Sequence, residues 1–230
     1  MNQQEAYELT EIQNLIELRI FAYDILRRVF LEEPTKELIA QFQNGVINFF
    51  PFKEENSQLN DGVELVNHYF KTFDMDKNFE ELHWDYTRMF IGPYELPVHI
   101  WESSYVNKDQ LLFQEETLLV RRLYLENCFE SPHYGREADD HLGLELDYMY
   151  HLNIIANDLA KEDKVGQLNK IVADQDYFLQ EHLLKWTPLF GKKVIQHADT
   201  DFYKGMVKIL NGFLTIDKAC LKEVLSRTNL

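Results

Sequence analysis

The sequence has only two cysteines, Cys128 and Cys220, and neither lies in a Cys-x-x-Cys or Cys/His spacing. No zinc site or redox pair is signalled, and reduced, structural thiols are expected. Nine glycines and six prolines are too few for the many tight turns of an all-β protein. No apolar run reaches the ~18 residues of a membrane-spanning helix, so no membrane span is expected. The N-terminus, MNQQEAYELT, has neither a basic nor an apolar segment, so no secretory signal is expected either. Cations are also scarce: 23 Lys and Arg stand against 39 Asp and Glu, for a net charge of −16. Such a surface repels nucleic acid, whose binding requires clustered Lys and Arg, and it suits a cationic partner. Nucleotide-binding glycine loops are absent, and Ser103-Ser104 lacks the setting of a nucleophile.

What the chain has is helical periodicity. Ile12, Leu15, Ile16, Arg19, Ala22, Tyr23, Leu26, Val29 and Phe30 form one stripe over 11–32. After Pro34, Leu38, Phe42 and Val46 mark a second helix. Asp61-Gly62-Val63-Glu64 reads as a helix-start box. Further helices are expected up to Phe90 and over 109–126, 139–160, 165–184, 202–214 and 216–225, with a connector at 186–193 that holds Pro188 and Gly191. Loops are expected at 51–60, 91–108 and 128–138. The segment over 139–160 is apolar nearly all round, which marks a central helix. The fold class is therefore all-α: a helical bundle over 1–230, with possible halves at 11–90 and 109–228 joined by an irregular crossover at 91–108.

Two stretches carry more than periodicity. In the first, 84–105, an apolar-aromatic helix face (Phe79, Leu82, His83, Tyr86, Phe90) is stopped by Gly92-Pro93. The loop that follows is unusually apolar, with Tyr94, Leu96, Val98, Ile100, Trp101 and Tyr105, so it must lie on apolar surface and can wall a groove. In the second, Asp139 or Asp140 is placed to cap the central helix, and His141 and Glu145 share a helix face four residues apart. That pair supplies only two ligands. A di-iron centre needs Glu-x-x-His from two helices, and Glu80-x-x-His83 has no second match outside the proline-containing Glu130-Ser131-Pro132-His133. No metal or other cofactor is expected. An enzyme built on His141 and Glu145 is kept only as an alternative.

Together the two stretches resemble the TorD/DmsD/NarJ family of redox-enzyme maturation chaperones. Tyr86-Thr87-Arg88-Met89-Phe90-Ile91-Gly92-Pro93, Leu96-Pro97 with Trp101-Glu102-Ser103-x-Tyr105, and Glu137-x-x-Asp140-His141 with Glu145-Leu146 and Met149 follow its motifs in order and spacing. His182-Leu183, Trp186, Phe190, Ala198, Phe202 and Tyr203 follow its C-terminal pattern. Ala138, where proline is usual, and Val98-His99-Ile100 depart from it.

The resemblance implies a cytoplasmic, non-enzymatic, all-helical chaperone, monomeric or a domain-swapped homodimer. It would bind the twin-arginine leader of a molybdenum-cofactor oxidoreductase catalytic subunit, and its apo form, until the cofactor is inserted. A chaperone of a non-exported nitrate-reductase-type enzyme is the nearest alternative. Such a peptide offers two arginines beside an apolar run, so its receptor needs carboxylates beside a greasy groove. The residues implied are Glu102, Asp139, Asp140 and Glu145 for charge, Tyr86, Phe90, Trp101 and Tyr105 for apolar surface, and Ser103 and His141 between them.

Overall fold

A computed structural model describes residues 3–92, 95–106, 115–132 and 135–228. The helices are α1 (Gln3–Phe30), α2 (Lys36–Gln43), α3 (Ser57–Phe70), α4 (Met75–Phe90), a single turn α5 (Ser103–Val106), α6 (Glu115–Glu126), α7 (Leu142–Lys161), α8 (Val165–Phe178), α9 (Leu184–His197) and α10 (Asp201–Thr228). A π-helical turn, Leu179–Leu183, joins α8 to α9. No strand occurs among the described residues, so the architecture is all-α. Pro93, Tyr94 and His133, named in the sequence analysis, and residues 109–114 of the helix expected over 109–126 lie outside the described residues.

Helix α1 packs along α7, α10 lies against α3, and α8 and α9 close the bundle onto α7 and α10. The central helix α7 buries residues on every side, among them Leu142, Leu146, Tyr148, Met149, Leu152 and Ala156. The core is strongly aromatic: Phe30 meets Phe190, Tyr23 and Phe50 meet Phe213, and Phe90 stacks on Phe190. At its centre the fully buried Arg19 joins four helices. Its guanidinium donates to both carboxylate oxygens of Asp217 (2.5 and 3.1 Å), to Asn153 Oδ1 (2.7 Å) and to Gln175 Oε1 (2.7 Å).

Several boundaries differ from the sequence expectation, each for a physical reason. Helix α1 begins at Gln3, well before 11. The expected loop at 51–60 contains only a 3₁₀ turn, Lys53–Glu55, before α3 starts at Ser57 under an Asn56 cap that accepts from Leu59 N at 3.0 Å. Asp61-Gly62 is therefore mid-helix and starts nothing. Gly62 sits where α3 crosses α10, and a Cβ there would come within 2.7 Å of Gly205 O.

The expected connector at 186–193 is helical, and Pro188 lies inside α9. Gly191 is not a stop, because it packs against Asn211 and Val207 of α10. The two helices expected over 202–225 are one, since nothing near Thr215 breaks the ladder. In the crossover, 95–102 is irregular as expected, and 103–106 forms the turn α5.

Candidate functional site

The two informative stretches meet in space. Trp101 and His141 pair in an isolated antiparallel bridge, in which Glu102 N donates to Asp140 O and Leu142 N to Ile100 O, both at 2.9 Å. Side chains reinforce the join. Asp140 is fully buried and accepts from Ser103 N and from Thr117 Oγ1, each at 2.9 Å. Asp139 accepts from Arg121 Nε at 2.6 Å, and its carbonyl takes the Tyr124 hydroxyl at 2.9 Å. Neither aspartate caps α7. The cap is His141, whose Nδ1 accepts from Gly143 N at 3.1 Å. Asp140 is already committed to the crossover and α6, which leaves the helix start to its neighbour.

Beside this join lies a groove of about 540 Å³. Tyr86, Phe90 and Ile91 from the end of α4 line one part, Ile100, Trp101 and His141 another, and Leu31 to Thr35, between α1 and α2, a third. Tyr86 and Phe90 are nearly buried, whereas Ile91 is 52% exposed, so the apolar surface climbs from core to solvent. Three carboxylates share the groove: Glu32, Glu33 and Glu137. Glu137 Oε1 accepts from Trp101 Nε1 at 2.7 Å, which fixes the indole plane, and the Trp101 ring meets His141 edge-on at 6.0 Å. Glu33 takes the Thr87 hydroxyl at 2.5 Å. Burial, reinforced first by Glu33 and then by Glu137, pushes the Tyr86 phenol far above its ordinary pKa, so it stays neutral; it donates to Phe30 O at 3.2 Å.

The structure thus sorts the ten residues singled out from sequence. Tyr86, Phe90, Trp101 and His141 line the groove together. Ser103 and Asp140 are buried in the join beside it, and Asp139 instead lines a separate cavity of about 330 Å³ with Arg121, Tyr124 and Phe129. Tyr105 faces away, its ring 5.3 Å from Trp186 and beneath the Lys193 ammonium, while its hydroxyl donates to His99 O at 2.7 Å. Glu102 and Glu145 are buried in a separate cluster. Glu102 Oε2 meets His182 Nδ1 at 2.7 Å, and Glu145 Oε2 accepts from Trp186 Nε1 at 3.1 Å. Burial, and then the facing Glu102 and Asp140 carboxylates, raise the Glu145 pKa well above the ordinary range.

The groove carboxylates Glu32 and Glu33 were missed from sequence because they read only as the polar end of α1 before Pro34. Their signal was an acidic pair at a helix end, which becomes part of a groove only when α4 is placed beside it.

The class of protein so defined is an all-helical bundle whose aromatic crossover walls an acid-rimmed groove. Residues 31–191 match the family model described as nitrate reductase delta subunit. Over 223 residues the chain is 25% identical to a chaperone protein TorD of Vibrio cholerae, covering 96% of this chain and all of that protein. It is 26% identical to a TorD of Vibrio vulnificus over 91% of this chain and 97% of the relative. A Tat proofreading chaperone DmsD of Salmonella typhi is 30% identical over 127 residues, 55% of each chain. The chain belongs to the TorD/DmsD/NarJ family of redox-enzyme maturation chaperones, and these relatives are named chaperones, not enzymes.

Proposed function

We propose that this protein is a maturation chaperone that holds the twin-arginine leader of a molybdenum-cofactor oxidoreductase subunit in the groove beside Trp101. The observation that carries the reading is the composition of that groove: an aromatic and aliphatic floor (Tyr86, Phe90, Ile91, Trp101) edged by three carboxylates (Glu32, Glu33, Glu137). Arginine pairs with carboxylates through charge-assisted, often bidentate, hydrogen bonds. The apolar run of a leader, laid as a helix, buries its side chains on aromatic surface. A strongly acidic chain, at −16 net, draws a cationic peptide in from solution. The chaperone acts before export, in the cytoplasm, and the crossover at 91–108 is the hinge through which two copies exchange halves when a dimer forms.

The test is calorimetric titration of the full chain with synthetic leaders from molybdoenzyme subunits, and in parallel with the apo subunit lacking its leader. Saturable one-to-one binding of a leader supports the reading. Binding of the leaderless subunit alone moves the client to the non-exported, nitrate-reductase type. Binding of neither sinks the groove as a client site.

A further inference from the structure

We propose that Glu102, Glu145 and His182 form a buried site for one divalent transition-metal ion, best matched by zinc, which clamps the crossover to α7 and α9. The three residues come from separate parts of the chain: the start of the α5 turn, the first turn of α7, and the π-helical turn between α8 and α9. One ligand atom from each lies within 4.8 Å of the others, and all three residues are buried. Around zinc, carboxylate oxygens and imidazole nitrogens sit at ~2.0–2.2 Å, which places neighbouring ligand atoms about 3.4 Å apart. The cluster spans that separation: His182 Nδ1 and Glu102 Oε2, at 2.7 Å, have to open by less than about 1 Å to admit the ion.

A divalent ion is compatible with the charge of the cluster. Two carboxylates face each other out of water, and Glu102 is paired only with His182 at 2.7 Å. Buried charge needs compensation. Two carboxylates, a neutral imidazole and a divalent cation sum to zero, and the competing occupant is a pair of protons on the same groups.

An independent observation points to a missing partner. Glu145 Oε1 is completely buried and has no hydrogen-bond donor. Its other oxygen is held by Trp186 Nε1, the kind of outer hydrogen bond that fixes a ligating carboxylate. His182 stacks on Phe178 at 4.8 Å, which sets its ring plane. It lies inside a π turn, a winding that is rare and recurs at functional positions. A mixed nitrogen and oxygen set suits zinc, manganese or iron(II) over the softer ions that seek thiolates. Sequence reasoning had paired Glu145 with His141. The structure gives it a different histidine, 37 residues further along, and a second carboxylate from the crossover.

The test uses the full-length protein stripped by chelator, with Co(II) as the spectroscopic probe, both added to the native chain and present during refolding from urea so that burial does not bar access. The expected result is one Co(II) per chain, visible-region absorption of a low-coordinate site, displacement by Zn(II), and a higher melting temperature with metal than without. Glu145→Gln and His182→Gln should each weaken Co(II) binding by more than ~100-fold, beyond the loss seen when only an outer partner is removed. Glu145→Gln is isosteric and relieves the facing carboxylates, so its metal-free form should keep the wild-type helical circular dichroism and melt no lower. No uptake of Co(II) or Zn(II) under either protocol overturns the proposal and leaves a cluster held together by a proton. Uptake unchanged in both variants also overturns it, by placing the ion on surface side chains.

Discussion

Asp140 and Ser103 are joined by a 2.9 Å hydrogen bond from the Ser103 amide to Asp140 Oδ2, and Thr117 Oγ1 holds the other oxygen at the same distance. One buried carboxylate thereby ties the crossover, α6 and the start of α7 into one block. Replacing Asp140 by alanine strands two buried donors, at ~1–3 kcal/mol each. The expected loss is about 2–6 kcal/mol, more than the ~1 kcal/mol of a helix cap. Asp140→Asn keeps one acceptor and should lose roughly half as much. Urea unfolding of both variants checks this, and a loss of cap size alone would show that the crossover is held by something else.

The Arg19–Asp217 pair makes a second, separable demand on the core. Both side chains are wholly buried, and Tyr23 OH adds a 2.7 Å bond to Asp217 Oδ2. Arg19→Met leaves the Asp217 charge in the core without its cation, and should cost about 3–5 kcal/mol. Combining it with Asp217→Leu should recover part of that loss, because the double variant buries no charge. A double-mutant cycle by urea denaturation measures the difference. Additive losses would mean that the arginine is held by Asn153 and Gln175, with Asp217 a bystander.

Both blocks bear on how far the sequence could be read. The long stripes of α1, α4 and α7 were legible because each buries one dominant face, or all faces, and burial imposes periodicity. Asp61 and Glu64 misled because an Asp-x-x-Glu box inside a helix looks, in one dimension, like one that starts it, and Gly191 misled because a glycine that lets helices touch looks like one that ends a helix. Trp101 stood out because an apolar residue in a loop has few other reasons to occur, whereas Asp140 was expected as a helix cap and was joined to the candidate site only by the family resemblance. Glu102 and Glu145 were read as surface charge for a ligand. Nothing in a single chain of letters says that His182 and Trp186 fold back onto them and remove them from solvent.

The two thiols should differ sharply. Cys128 is exposed, while Cys220 is buried and its thiol is pushed up to about 12 by burial, with the neighbouring Asp217 carboxylate adding to the effect. Only the thiolate reacts. A disulfide reagent at pH 8 should therefore titrate one thiol rapidly in the native protein and two after unfolding in urea. Rapid reaction of both in the native state would show that the C-terminal half of α10 opens readily.

A modest pH effect is expected at the crossover. Burial, and then the nearby Lys193 ammonium, lower the His99 pKa, with Glu95 opposing. The neutral ring is thus favoured in the folded protein. The unfolded chain takes up the proton first, so stability is present above the unfolded value of about 6.5 and is lost as pH falls from there through the folded value. The melting temperature of the wild type should drop more between pH 7 and pH 5 than that of His99→Asn. Identical slopes would mean that the ring is hydrated, and free of Lys193, in solution.

The last prediction separates charge from contact in the groove. Glu32, Glu33 and Glu137 edge it and Trp101 walls it. Rim carboxylates near water attract over a screening length of about 8–10 Å at physiological ionic strength, and exposed pairs are worth only ~0.2–1 kcal/mol each. The triple variant Glu32→Gln, Glu33→Gln, Glu137→Gln should therefore slow leader association and flatten its salt dependence, while affinity falls by about tenfold or less at 150 mM salt. Trp101→Ala removes a large aromatic contact of the kind that dominates binding sites, and should weaken binding by ~2 kcal/mol or more, mainly through faster dissociation. Trp101→Phe keeps most of the apolar area but loses the bond to Glu137, and should fall between the two. On the peptide side, alanine in place of the two arginines should weaken the complex without abolishing it. Polar residues in place of the apolar run should cost more, because each large aliphatic side chain contributes ~1.5–3 kcal/mol on burial. Stopped-flow association and calorimetric affinities at two salt concentrations check both sides. The opposite ranking, with binding lost to salt alone and indifferent to Trp101, would reduce the interaction to general attraction between a basic peptide and an acidic protein.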